Sequence, residues 1–247
     1  MNQIRKLLLD IRKNLPDKNQ KEYFEVHITR YYWILNFIKT LKLPLNSHIL
    51  DVGCYPPHLF NALSALGYKL TGISSEHEKI RNKNVKIVNI ENQPLPFSNK
   101  FFDFVLLSEV LEHLSKNPSL LFSEISRVLA PEGTLLITSP NVIRSQNLFK
   151  LLFRKNIYFP LHQLDENINH RHHREYTLNE IKEILVSSGL TVIKSGYFIA
   201  YSPDRDKNQY DSLSLKLIKR LNYFFMNLFP ERQDTIFVLA KSAILNY

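Results

Sequence analysis

Glu109, Glu112 and His113 combine side chains that can move a proton or hold a cation. Their i, i+3, i+4 spacing predicts one shared face on a helix leaving a strand. On such a face His113 can act as general base toward a substrate hydroxyl, with a carboxylate such as Glu112 to orient it. The same groups can instead bind a divalent ion that lowers the hydroxyl pKa. A plainer alternative is that acids at a helix start favour its dipole while His113 packs in the fold. A second stretch, Ile49-Leu-Asp-Val-Gly-Cys-Tyr-Pro-Pro-His-Leu59, carries Asp51 and Gly53. An apolar run ending in an acid, then a side-chain-free turn and a proline-started helix, is how open α/β sheets hold a nucleotide-like ligand. A Gly-x-Gly-x-Gly spacing from Gly53 would put glycines at 55 and 57, where Tyr55 and Pro57 stand.

These groups need elements to position them. Apolar strand-like runs occur at 47–52, 68–74, 85–90, 102–108 and 133–139, and the spacers 57–66, 76–82 and 118–129 read as helices. Such alternation predicts an α/β fold, a mostly parallel, doubly wound sheet covered on both faces. Glu132-Gly133 reads as a turn before the fifth strand, and Ser139-Pro140-Asn141 closes it. Ahead of the core, Phe24, Ile28, Tyr31, Tyr32, Leu35 and Ile38 stand at helical spacing over 22–43 until Pro44. Beyond 141 come an apolar helical patch at 143–153 and a loop with His162, His170, His172 and His173. Thr177-Leu-Asn-Glu180 is a capping box opening a helix to Ser188, and 190–199 and 235–241 read as two last strands. Domain organisation follows as a helical cap over 1–45, a core over 46–200, and a helix with a closing strand over 201–247.

Composition narrows the classes. The apolar share is 44% over 247 residues, enough for one sizeable buried core, which excludes a disordered chain. Cys54 is the only cysteine, so an intramolecular disulfide and a multi-cysteine zinc site are excluded and a reducing, cytoplasmic setting is expected. The start is too short in apolar residues for a signal peptide, and no run approaches a membrane span. The net charge of +9 divides as +5 over 1–45, −1 over 46–141, +3 over 142–176, 0 over 177–200 and +2 over 201–247. A neutral core with basic flanks suits a phosphorylated, nucleic-acid or anionic-membrane partner, or only a solvated basic surface. The stripe Leu217, Leu221, Phe224, Phe225, Leu228 reads as core or homodimer interface, or as an interfacial helix, because Lys216, Lys219 and Arg220 lie off it. Peripheral contact with the inner membrane face follows from the last reading.

Taken in order, Leu-Asp-Val-Gly-Cys54, Leu-Pro-Phe97, Phe-Asp-Phe-Val105, Val-Leu-Glu-His-Leu114, Glu124-Ile-Ser-Arg-Val-Leu-Ala-Pro-Glu-Gly133, Ser-Pro-Asn141 and His172-His-Arg-Glu-Tyr-Thr177 resemble the class I S-adenosylmethionine-dependent methyltransferases. The resemblance covers roughly 46–200 and is nearest to the group that includes ubiquinone-type O-methyltransferases. It implies a seven-stranded, Rossmann-like methyltransferase sheet whose last strand is antiparallel, with helical additions at both ends. It also implies S-adenosylmethionine as cofactor. Asp51, Gly53, Cys54 and Tyr55 would form the turn beside the methionine moiety. Ser74 and Ser75, with Glu76 beyond, would form the ribose edge; Glu91 and Asn92 would stand at the adenine, and Ser108 and Glu109 would close the pocket. Glu-x-x-Glu-His with a distant His also resembles the metal-dependent small-RNA 2′-O-methyltransferases, so Glu109, Glu112, His113 and His172 are the implied metal ligands if an ion is used. The expected acceptor is a hydroxyl of a small molecule, glycan or lipid-linked precursor. RNA is one alternative, and a catalytically silent scaffold is another.

Overall fold

The computed structural model describes residues 2–75, 82–158, 172–200 and 213–242. The seven expected strands form one sheet: β1 (His48–Val52), β2 (Lys69–Ser74), β3 (Val85–Ile87), β4 (Phe102–Ser108), β5 (Leu129–Pro140), β6 (Leu190–Phe198) and β7 (Thr235–Ser242). Their order is β3-β2-β1-β4-β5-β7-β6. Strands β1 to β5 pair in parallel, and β7 enters antiparallel between β5 and β6. The order reverses at β1, between β2 and β4, which opens a crevice at the carboxyl ends of those strands.

The central strands β1, β4, β5 and β7 are mostly apolar because both their faces are covered, and the pleat divides them between two cores. Leu50, Val105, Leu107, Leu135, Ile137, Ile236 and Val238 face one core, with Leu121, Phe122 and Ile125 of α4 (Ser119–Val128) and Ile181 and Leu185 of α6 (Leu178–Ser187). Ile49, Phe104, Leu106, Leu136, Phe237 and Leu239 face the other. That second core is closed by α1 (Gln3–Lys13), α2 (Lys18–Thr40) and α3 (His58–Ala65). Trp33 of α2 stacks on Phe198 with ring centroids 3.9 Å apart, fixing the long helix across the sheet.

Several sequence expectations change. The N-terminal helix begins at Lys18, capped by Asp17, which accepts from the Gln20 amide; a separate helix, α1, precedes it. The third strand stops at Ile87 instead of 90. Glu132-Gly133 is no turn before β5 but lies inside it: Glu132 has φ +64°, and the pairing register with β4 shifts between Phe102 and Phe104, the signature of a bulge. The helix expected at 76–82 and the histidines His162 and His170 fall almost wholly outside the described residues. The remaining helices, α5 (Ser145–Leu152) and α7 (Leu213–Leu228), lie near their expected places, and α6 has the capping box of Thr177 and Glu180.

Candidate functional site

The β1–α3 turn is built around Gly53, whose φ is +78° and whose missing Cβ would overlap the Val110 Cγ2 methyl. The amides of Gly53 and Cys54 both donate to the Ile73 carbonyl at 2.9 Å, tying the turn to β2. Beside it lies a cavity of about 60 Å³ whose walls include Asp51, Tyr55, Pro56, Ser108 and Glu109. From α2, Tyr23, Arg30 and Tyr31 close it.

Charge in this cavity is unevenly satisfied. Burial pushes the Asp51 carboxyl up to about 7 and the Cys54 thiol up to about 12. Arg30, nine-tenths buried, donates from Nη1 to Glu109 Oε2 at 3.0 Å, and its Nε has no partner. Glu109 Oε1 accepts from Thr138 Oγ1 at 3.0 Å, and Thr138 shares a 2.9 Å hydrogen bond with Ser108. An S-adenosylmethionine amino-acid end carries an ammonium, a carboxylate and an adjacent sulfonium. Asp51 can meet the cationic part and the open edge of Arg30 the carboxylate, so the groups fit. The volume, about 60 Å³, is too small for that group without movement of the walls.

One residue further along β5, Ser139 turns to the opposite side and donates to Glu112 Oε2 at 3.2 Å. Glu112 is fully buried. Burial, then the nearby Glu109 charge, holds its carboxyl well above the usual range. Its Oε1 accepts no hydrogen bond and lies 4.0 Å from His113 Nε2. The His113 and His172 rings meet edge to face, 5.0 Å between centroids. His172 Nδ1 is 3.0 Å from Glu175 Oε1, and Glu175 is held by both terminal nitrogens of Arg144, at 2.5 and 2.9 Å, and by Asn147 Nδ2 at 3.1 Å. These hydrogen bonds and the Arg144 charge outweigh burial and bring Glu175 down to about 2. One ligand atom from each of Glu112, His113 and His172 lies within 4.8 Å of the others, a carboxylate and two imidazoles suited to a divalent transition metal.

The structure thus divides the expected residues. Asp51, Gly53, Cys54, Tyr55, Ser108 and Glu109 meet at the cavity. Ser74 is buried at the end of β2, Ser75 is exposed, and Glu76 is outside the described residues. Glu91 and Asn92 do not line the cavity: Glu91 accepts from the Ser115 amide and hydroxyl at 2.5 and 2.7 Å, and Asn92 accepts from Lys116 Nζ. The shared helical face of Glu109, Glu112 and His113 does not form. Glu109 has φ +55°, and only a single 3₁₀ turn over Leu111–His113 follows. The metal-capable group accordingly lacks Glu109, which is committed to Arg30. Sequence reasoning missed Arg30, Thr138, Ser139, Arg144 and Glu175. Two signals were available: Tyr23, His27, Arg30 and Ile34 run at spacings 4, 3 and 4 beside the apolar stripe, and His172 and Glu175 stand three apart.

Comparison with known proteins places these features. The profile described as "Methyltransferase domain" matches residues 25–195. Ubiquinone biosynthesis O-methyltransferase of Rickettsia canadensis is 24% identical over 204 residues, 71% of this chain and 84% of that protein. A SAM-dependent methyltransferase from Archaeoglobus fulgidus superposes with a TM-score of 0.60 at 16% identity, covering 87% of this chain and 94% of its own. Phosphoethanolamine N-methyltransferase 2 of Haemonchus contortus, solved with S-adenosyl-L-methionine, gives 0.58 at 16% identity over 96% of this chain and 60% of that one.

Proposed function

The chain belongs to the methyltransferase-domain family of class I S-adenosylmethionine-dependent enzymes, and from that premise we propose that it methylates a hydroxyl, on a small molecule, a glycan or a lipid-linked precursor. S-adenosylmethionine supplies a sulfonium-bound methyl group for in-line displacement by the acceptor oxygen. The chain's own work is then to align that oxygen and take its proton. His113 takes it at Nε2, and the buried Glu112 Oε1, 4.0 Å away, helps to set the position of the ring. His172, oriented by Glu175, walls the other side of the His113 ring. Asp51 and Arg30 would hold the donor's cationic and carboxylate ends. Because the cavity is about 60 Å³, the Arg30–Glu109 bridge between α2 and the end of β4 would have to part to admit the donor.

The observation that carries this reading is the orphaned, buried Glu112 Oε1 facing His113 in the 3₁₀ turn after β4, the strand whose last residue, Ser108, lines the cavity. A hydroxyl acceptor agrees with the name of the Rickettsia relative. The test is incubation of the chain with methyl-labelled S-adenosylmethionine and a cell-envelope extract, with mass spectrometry of the product. A methyl ether is expected, together with a loss of about 10²–10⁴ in turnover for His113→Ala. A methyl on nitrogen, or full turnover in the variant, sinks the assignment.

A divalent ion on Glu112, His113 and His172 is the second reading, favoured by the 4.8 Å grouping of their ligand atoms. It would lower the acceptor hydroxyl's pKa in place of His113. Full activity after exhaustive chelation rules it out. Steeply salt-dependent binding of single-stranded RNA would move the acceptor toward RNA.

A further inference from the structure

We propose that α5 and α7 together form a docking surface for an anionic lipid bilayer. The two helices pack as a pair: Phe149 meets Phe225 with centroids 6.1 Å apart, and the buried Ser145 hydroxyl donates to Asn222 Oδ1 at 2.5 Å. Asn222 and Met226 point inward, whereas Leu217, Leu221, Phe224 and Leu228, at i, i+4, i+7 and i+11, are exposed on another side of α7. From α5 and the residue after it, Leu148, Leu151, Leu152 and Phe153 are also exposed. The extremes are Leu152 at 73%, Phe153 at 70% and Phe224 at 62%. Single exposed leucines are ordinary on a protein surface; a run of this kind shared by two touching helices marks an interaction site.

Charge selects the occupant. Residues 143–158 and 213–229 contain Arg144, Lys150, Arg154, Lys155, Lys216, Lys219 and Arg220 and not one Asp or Glu. Arg144 is committed to Glu175, and Lys150, Arg154, Lys155, Lys216 and Arg220 lie beside the apolar surface. Leucine and phenylalanine flanked by lysine and arginine match the acyl and headgroup layers of an anionic leaflet. A twofold dimer across this face would set the same cations against their own copies, with no acid on the described parts of the two helices between them. No described helix is long and apolar enough to cross a membrane, so the contact is peripheral.

The surface also has a short route to the chemistry. Arg144, the residue capping the start of α5, holds Glu175, and Glu175 holds His172. The inference rests on the proposed hydroxyl methylation only for its purpose, the presentation of a lipid-linked acceptor at that site. Its test therefore uses no methyl transfer.

The full chain is floated with phosphatidylcholine vesicles and with vesicles of phosphatidylcholine and phosphatidylglycerol in equal parts. Retention on the anionic vesicles alone is expected, weakening as salt is raised. Lys150→Gln with Arg154→Gln and Lys155→Gln should cut vesicle affinity about 100-fold, from roughly 1 kcal/mol per cation near such a surface. Leu152→Ser with Phe153→Ser, and Leu221→Ser with Phe224→Ser, should each abolish retention while S-adenosylmethionine titration and thermal unfolding stay as in the parent chain. The proposal is overturned by equal retention on both vesicle types, by none on either, or by serine variants that keep retention. It is equally overturned if those variants convert a sedimenting dimer to monomer and the parent chain never floats, which would make the face an interface between copies.

Discussion

Donor binding should be coupled to a proton at Asp51. The carboxyl is wholly buried at the end of β1, and burial alone lifts it from 3.8 to about 7. A cationic ligand beside it favours the ionised form, so binding below that value releases the proton Asp51 holds. At pH 6 about 0.9 proton per chain should leave on binding, and apparent affinity should rise about 50-fold between pH 5 and 7, or roughly 2 kcal/mol. Neighbouring groups do not share this titration: Cys54 stands at about 12, His58 at about 4 and His27 at about 3, and Arg30 is raised further by Glu109. Among the described residues Glu112 is the one other acid raised close by, which makes Asp51→Asn the necessary control. Calorimetric titration in two buffers of different ionisation enthalpy counts the proton directly. The variant should bind weakly with little pH slope. The reasoning fails if the parent chain shows no slope between pH 5 and 7, or if Asp51→Asn keeps it, which would assign the proton to Glu112. The same shift has a sign for stability. The unfolded chain ionises Asp51 at 3.8 and the folded chain only at about 7, so the ligand-free protein loses up to about 4 kcal/mol as pH rises through that window.

Three further perturbations have sizes set by the structure. Gly53→Ala should destabilise by about 2–5 kcal/mol in denaturant unfolding, from the left-handed φ and the overlap with Val110 together. Adding Val110→Ala should recover only the overlap part, and full recovery would mean that φ costs nothing there. Glu175→Gln should lower turnover more than donor affinity, because His172 loses its orienting carboxylate while the Asp51 cavity is untouched. Glu175 sits at about 2 when folded, so its stabilisation is complete above 4.5 and is lost as pH falls toward 2; in the variant that part of the acid limb should flatten. His58 is buried against Phe24 and Tyr31 with both ring nitrogens unpartnered and is held down to about 4. Its stabilisation is present above 6.5 and lost as pH falls to 4, about 3 kcal/mol in all, so His58→Leu should remove that loss in a pH series of melting curves.

The sheet was legible because its signal is local. Buried parallel strands must be apolar on both faces, and runs such as Phe104-Val-Leu-Leu107 say so without reference to anything distant. Asp51 and Gly53 were legible for the same reason, since an acid and a glycine closing such a run have few structural uses. Arg30 was not, because its meaning lies in Glu109, 79 residues along the chain. The energy that makes Asp51 interesting was hidden too: an aspartate's letter does not say that burial will leave it at about 7. Glu91 misled in the opposite way. The position fits the family, but in this chain Ser115 offers its amide and hydroxyl and takes the carboxylate.

The failed helical face is the instructive error, because the error and the site have one cause. A helix over 109–113 would have pointed both acids the same way. Instead Glu109 takes a left-handed backbone, and only Leu111–His113 turn. The acids are then sorted by β5, whose successive side chains leave opposite faces of the sheet. Thr138 receives Glu109 and holds it with Arg30 at the donor cavity; Ser139, the next residue, receives Glu112 and leaves its other oxygen for His113. A strand's period of two thus does what a helix's spacing of three and four was expected to do, and to the opposite effect. It separates one carboxylate for binding the methyl donor from one for managing the acceptor's proton, and it keeps them close enough that the charge on Glu109 raises the cost of charging Glu112.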